Sequence, residues 1–135
     1  MNETMARLLD AQNRHDAEGM AALFAADYRS EQPLHPRRGF SGKAQVAANW
    51  SQMFDGVPDF EAGVVKESTD GSTSWTEWVW RGSHRDGTPF LMKGITVMGL
   101  SDDGLINWAR LYMEPVEQGG ADIEETVRHL SRSTG

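Results

Sequence analysis

The 135-residue sequence contains no cysteine. That excludes a disulfide framework and a thiol nucleophile, and leaves the redox compartment open. It also lacks any run of lysine or arginine: 13 basic side chains stand against 20 acidic ones, for a formal net charge of −7. Such a balance argues against a nucleic-acid partner. Long apolar stretches are missing too, since the longest run is a few residues where a membrane helix needs roughly 20. The polar, helical start "MNETMARLLDAQNRHD" does not read as a signal peptide. These absences predict a soluble, cytoplasmic protein with no membrane partner.

Motifs for cofactor chemistry are equally scarce. There is no glycine-rich phosphate loop, dinucleotide fingerprint or Ser-His-Asp constellation, and "GLSDDG" and "GSHRDG" read as turns, so no cofactor is expected. His15, His35, His84 and His129 share no metal-ligand spacing, so no metal site is expected either.

What the sequence does have is concentrated aromatic surface. The stretch "WTEWVW", Trp75 to Trp80, holds three of the five tryptophans and a single acid, Glu77. Upstream, Met5, Leu8 and Leu9 share a helix face, and Asp16 is placed to cap a second helix with Met20, Leu23 and Phe24 inside. Ser41 is placed to cap a third, with Val46, Trp50, Met53 and Phe54 on one side. From Phe60 the pattern turns to strands separated by Asp70-Gly71, Asp86-Gly87 and Asp103-Gly104, dipeptides suited to tight hairpins. We expect a four-stranded antiparallel meander over about 60–69, 72–81, 88–100 and 105–114, joined by a short strand around Tyr28 to Gln32. Asp122 and Glu125 form a capping pair for a short helix at about 122–131 carrying Ile123, Val127 and Leu130, and the tail "SRSTG" is expected to fray. The length fits a single domain, 1–135, of α+β class.

Alternation places apolar residues on both sheet faces: Trp78 and Trp80 oppose Trp75 and Val79, while Met92 and Met98 oppose Leu91, Ile95 and Val97. Helices in so short a chain cover one face, and a second copy of the same sheet is the natural cover for the other. A homodimer through the outer face is expected, the alternative being a monomer with scattered exposed apolar residues.

The segments "HDAEGMAALFAADYRSEQP", "FSGKAQVAANWSQMFDGVPDF" and "GLINWARLYMEP", in this order, resemble the SnoaL-like branch of the nuclear transport factor 2-like superfamily over about Met5 to Glu114. The resemblance implies a strongly curved antiparallel sheet forming a cone with the N-terminal helices on its concave side, an α+β barrel or cystatin-like roll. It further implies a pocket for a small hydrophobic molecule inside the cone and dimers through the outer sheet face. It implies no one activity, since polyketide cyclases, ketosteroid isomerases, epoxide hydrolases, dehydratases and pure binding proteins share the fold.

Matched residue by residue, the ketosteroid isomerase base falls at Gln32, which cannot take up a proton, and its oxyanion partners at Leu8 and Thr96. The charged pair of the epoxide hydrolases falls at Trp78 and Trp80, and the acid on the last strand of SnoaL-type cyclases at Leu111. The expected pocket is Tyr28, Gln32, Trp50, Phe54, Trp78, Trp80, Met92, Thr96, Met98, Asn107, Leu111 and Met113.

Three proton handlers are left: His35, Tyr28 and Glu114. Each has a plain alternative. His35 could be a loop histidine, Tyr28 and Gln32 could be structural hydrogen-bonders, and Glu114 could pair with Arg110 at the rim. The sequence therefore supports a SnoaL-like enzyme acting by acid-base catalysis, by cyclisation or isomerisation, on an apolar carbonyl or polycyclic compound. The alternative is a non-catalytic binding protein for a small hydrophobic ligand. A cone filled by its own side chains is a third outcome.

Overall fold

The computed structural model describes residues 1–132. Along them run α1 (Glu3–Asn13), α2 (Ala17–Ala21), β1 (Phe24–Glu31), a 3-10 turn (Pro36–Arg38), β2 (Phe40–Ser41), α3 (Lys43–Gly56), β3 (Glu61–Asp70), β4 (Thr73–Ser83), β5 (Pro89–Leu100), β6 (Ile106–Pro115) and α4 (Ile123–Ser131). The meander is the expected one. Its turn glycines, Gly71, Gly87 and Gly104, adopt φ of 60°, 88° and 82°, the left-handed region tight hairpins demand.

The strands form one curved sheet in the order β2-β1-β6-β5-β4-β3. All neighbouring pairs are antiparallel except β1 and β6, which run parallel. The antiparallel expectation fails there because β1 docks beside the last meander strand, where no hairpin fixes its direction. The sheet bends without closing, and β2 and β3 remain its edges. Gly94 sits in the middle of β5 where a Cβ would lie 2.0 Å from the Tyr112 carbonyl oxygen, so only glycine permits that approach. Register shifts between Val64 and Lys66 and between Gly99 and Leu100 add local bends.

Two helix boundaries differ from expectation, and the sheet causes both. α2 stops at Ala21 because the Ile106 amide takes the Leu23 carbonyl, drawing Phe24 into β1. Ser41 does not cap α3. It pairs with Arg29 in β2, so Gly42, at φ 93°, becomes the cap. Asp16 caps α2 as expected by accepting from the Gly19 amide at 2.9 Å.

Helices α1 to α3 cover the concave face. Met5, Leu8, Met20, Val46, Trp78 and Ile106 belong to one buried cluster. Each large apolar side chain so removed from water contributes about 1.5–3 kcal/mol. The Asn13 carboxamide completes the β3 edge: its Nδ2 donates to the Ala62 carbonyl at 3.0 Å and its Oδ1 accepts from the Ala62 amide at 2.7 Å. Asp122 caps α4 by accepting from the Glu125 amide, but the stripe of Ile123, Val127 and Leu130 is exposed. Of the tail expected to fray, 133–135 lie outside the described residues. Among the described residues no helix is long and apolar enough to cross a membrane.

Candidate functional site

A cavity of about 230 Å³ lies between the concave sheet face and helices α1 and α3. Strand alternation turns Trp78, Trp80, Met92, Thr96, Met98, Leu111 and Met113 towards it, and Trp50 reaches it from α3. Tyr28 and Gln32 line it from the β1 side. The cone is thus not filled by its own side chains. Trp50 and Trp80 meet edge to face at 5.1 Å between ring centroids. Trp78, 1 % exposed, donates from Nε1 to Thr96 Oγ1 at 2.8 Å, so the polar residue on β5 anchors the indole on β4.

Two expected lining residues are elsewhere. Phe54 stacks on His15, with ring centroids 4.7 Å apart, and packs edge to face on Phe60 behind Trp50, so it backs the wall without reaching the cavity. Asn107 is exposed. Gly99 pairs with Trp108 while Leu100 pairs with Ile106, which leaves Asn107 as the extra residue of a bulge and turns its side chain outward. Ile106, Ala109 and Met113 are the buried residues of β6 on either side of that bulge.

The structure brings together two of the expected proton handlers and separates them from the third. His35 Nε2 and Glu114 Oε1 stand 2.6 Å apart, both half-exposed, and neither lines the cavity. Glu114 therefore has a partner other than Arg110, whose guanidinium lies over the Trp108 ring at 4.7 Å. Tyr28 does line the cavity, and burial pushes its phenol up to about 12, with the neighbouring Ser30 hydroxyl opposing the shift.

Several lining residues escaped the sequence reading. Gln12 on α1 falls one turn after Leu8, a polar group at an apolar-face position, which was the available signal. Asn49 and Met53 sit on the α3 face of Trp50, and Ser30 lies midway between Tyr28 and Gln32 on the same face of β1. Phe40 and Arg38 arrive from the loop and β2, where no periodicity points to them. Ser30 Oγ, Gln12 Oε1 and Trp80 Nε1 are buried without a hydrogen bond that meets normal geometry. Among the described residues no Asp, Glu or His lines the cavity, and Arg38 is its one charged group.

On the convex face Trp75, Ile95 and Tyr112 are 49 %, 43 % and 37 % exposed. Ile95 pairs directly with Tyr112 on β6 and with the acid Glu77 on β4, while Trp75 pairs with the buried Val97 one step along the same face.

Solved structures share this fold. A Catenulispora acidiphila protein with a ketosteroid isomerase-like fold, in complex with trimethylamine, superposes with TM-score 0.72 at 17 % identity, over 82 % of this chain and 84 % of its own. A Jannaschia protein named for the SnoaL-like polyketide cyclases gives 0.70 at 20 % identity, over 83 % of each chain. A Mycobacterium tuberculosis protein in complex with estradiol-17beta-hemisuccinate gives 0.69 at 20 % identity, over 81 % and 89 %. Comparison with curated proteins finds no significant sequence match. The model of the SnoaL-like domain matches residues 5–108, which span most of α1, then α2, β1, β2, α3, the first three strands of the meander and the start of β6, and the chain belongs to that family.

Proposed function

We propose that the chain binds a small, flat, largely apolar molecule inside the cone and holds it there without chemistry. The observation that carries this reading is the lining itself: aromatic and thioether walls with no Asp, Glu or His among the described residues. A general base working near neutrality needs a carboxylate or imidazole within hydrogen-bond reach of the proton it takes. Tyr28 does not supply one, because its phenol, held at about 12 by burial, stays protonated and serves only as a donor. The mycobacterial structure with a bound steroid ester supports a ligand of this general shape.

A second reading keeps one observation in its favour. The His35–Glu114 pair adjoins the lining, Glu114 following Met113 and His35 following Gln32 across Pro33 and Leu34. On that reading the pair serves as the acid-base group of a SnoaL-like enzyme that cyclises or isomerises an apolar carbonyl or polycyclic compound at the mouth of the cone.

Titration with a panel of aromatic polyketides, steroids and enones separates the two, with tryptophan fluorescence and product formation followed together in wild type, His35→Ala and Glu114→Gln. Quenching without turnover, equal in all three proteins, is the expected result. Turnover lost in both variants establishes the second reading instead, and no quenching by any compound overturns both.

We also propose that the convex face meets a second copy of the chain. The support is the exposure of three large apolar side chains, Trp75, Ile95 and Tyr112, on neighbouring strands of one sheet face, with Ile95 and Tyr112 in direct register, since single scattered residues would need no cover whereas such a cluster does.

A further inference from the structure

The walls of the cavity are not alike. Those built by α3, β4 and β5 are mainly aromatic and thioether, with Asn49 and Thr96 single polar residues among them, whereas β1 presents a polar row. Tyr28 and Ser30 follow one another at period two along its inner face, Gln32 continues the spacing just past the strand's end, and all three line the cavity. The row continues into Arg38, whose Nη1 donates to Gln32 Oε1 at 3.1 Å. The Ser30 hydroxyl, 2 % exposed, has only the neighbouring Tyr28 phenol of the same row beside it, and the carboxamide oxygen of Gln12 on α1, also 2 % exposed and lining the same cavity, has no partner among the described residues. Buried polar groups are nearly always satisfied, so this wall holds hydrogen-bonding capacity that the protein itself does not use.

Charge adds a second, independent observation. Arg38 makes no ion pair among the described residues, and no carboxylate lines the cavity. The protein as a whole carries −7, so a lone cation at the end of the one polar wall runs against the field of the molecule. Gln32 occupies one of the five guanidinium N–H donors, and the planar fork keeps others for a carboxylate, which an arginine binds through two parallel bonds.

We propose that the natural ligand is a flat apolar acid: an aromatic or polycyclic body lies against Trp50, Trp78 and Trp80, its polar edge runs along Tyr28 and Ser30, and its carboxylate ends at Arg38. This rests on the cavity being a binding site, as proposed above, and adds the charge and direction of what enters it. Arg38 is exposed at the outer end of the row, so the anionic end stays at the mouth and the apolar body goes in first. The cost of desolvating the charge is then small, and the preference depends on salt.

The test uses two probes of equal shape, 2-naphthoic acid and 2-naphthamide, titrated by calorimetry into wild type and Arg38→Gln at low and high salt. The acid should bind wild type about tenfold more tightly than the amide at low salt, as one charge-assisted bond allows. That preference should shrink with added salt and fall within twofold in Arg38→Gln, whatever the change in the absolute affinity for the amide. Equal binding of acid and amide by wild type, or a preference retained in Arg38→Gln, overturns the carboxylate assignment and leaves the binding cavity standing. No binding of either probe at millimolar concentration overturns the cavity reading and this inference with it.

Discussion

His35 and Glu114 lie 79 positions apart in sequence, and their side chains meet at 2.6 Å. The contact follows from the parallel pairing of β1 with β6: Glu31 aligns with Arg110, so the loop leaving β1 passes the far end of β6. A half-exposed pair of this kind contributes only about 0.2–1 kcal/mol. Glu114→Gln and His35→Ala should therefore lower stability in urea by no more than about 1 kcal/mol. Neither should change the affinity for an apolar probe by more than about twofold, read by calorimetry, because neither side chain lines the cavity.

Trp80→Ala tests the inner wall. The indole is 7 % exposed and packs on Trp50, so its loss should cost about 3–5 kcal/mol of stability and weaken binding of an aromatic ligand at least tenfold. Trp75→Ala, on the convex face, should leave that binding intact. Thermal unfolding and calorimetry on both variants check the assignment, and equal loss of ligand affinity would refute it.

How much of this was legible beforehand depended on what fixes each feature. The hairpin meander was plain because Asp-Gly dipeptides and period-two patterning are local signals, and alternation sorted Trp78, Trp80, Met92, Met98, Leu111 and Met113 onto one face once the family resemblance said which face is inward. Asn107 was misplaced because a bulge adds one residue to the count, and nothing in "LINWARL" announces it. Phe54 was misplaced for a different reason: it shares a helix face with Trp50, but His15, held in its turn by a bond to the Phe60 carbonyl, offers it a ring to stack on. Arg38 was invisible because the loop carrying it has no periodicity and its orientation depends on Gln32, a tertiary contact. The site was thus readable where strands set it and hidden where loops and bulges did.

Ile95→Lys tests the convex face. Ile95 lies between Glu77 and Tyr112 on the exposed face, so a lysine there puts a charge that must be desolvated into any sheet-on-sheet contact covering it. Light scattering after size exclusion should give a dimer for wild type and a monomer for the variant. A wild-type monomer at all concentrations would remove the second copy from the proposal.

Asn13→Ala should open the β3 edge. Both Ala62 backbone groups, which face away from β4, pair only with the Asn13 carboxamide among the described contacts. Truncation leaves a donor and an acceptor without partners at a position 5 % exposed, at a cost of about 1–3 kcal/mol. The urea midpoint should fall accordingly, and hydrogen exchange at the Ala62 amide should accelerate. An unchanged exchange rate would mean that another group covers the edge.

Tyr28→Phe tests the electrostatics of the cavity through pH. Burial raises the phenol from its usual value near 10 to about 12, so between these limits the folded chain keeps a proton that the unfolded chain has lost. Stability falls with rising pH wherever the native state binds more protons. Below pH 10 both states are protonated and the phenol adds no pH dependence. Above it, wild type should lose stability, by up to about 1.4 kcal/mol per pH unit, and the loss should level off past the folded value. Phenylalanine has no proton to lose, so the variant lacks this component while every other titrating group is shared. Urea midpoints of the two proteins should therefore run parallel at pH 8–9 and diverge at pH 11, the variant gaining roughly 1 kcal/mol on wild type. A difference that stays flat across the range would mean that the phenol ionises as freely in the cavity as in water, and its role as a fixed donor to the ligand would fall with it.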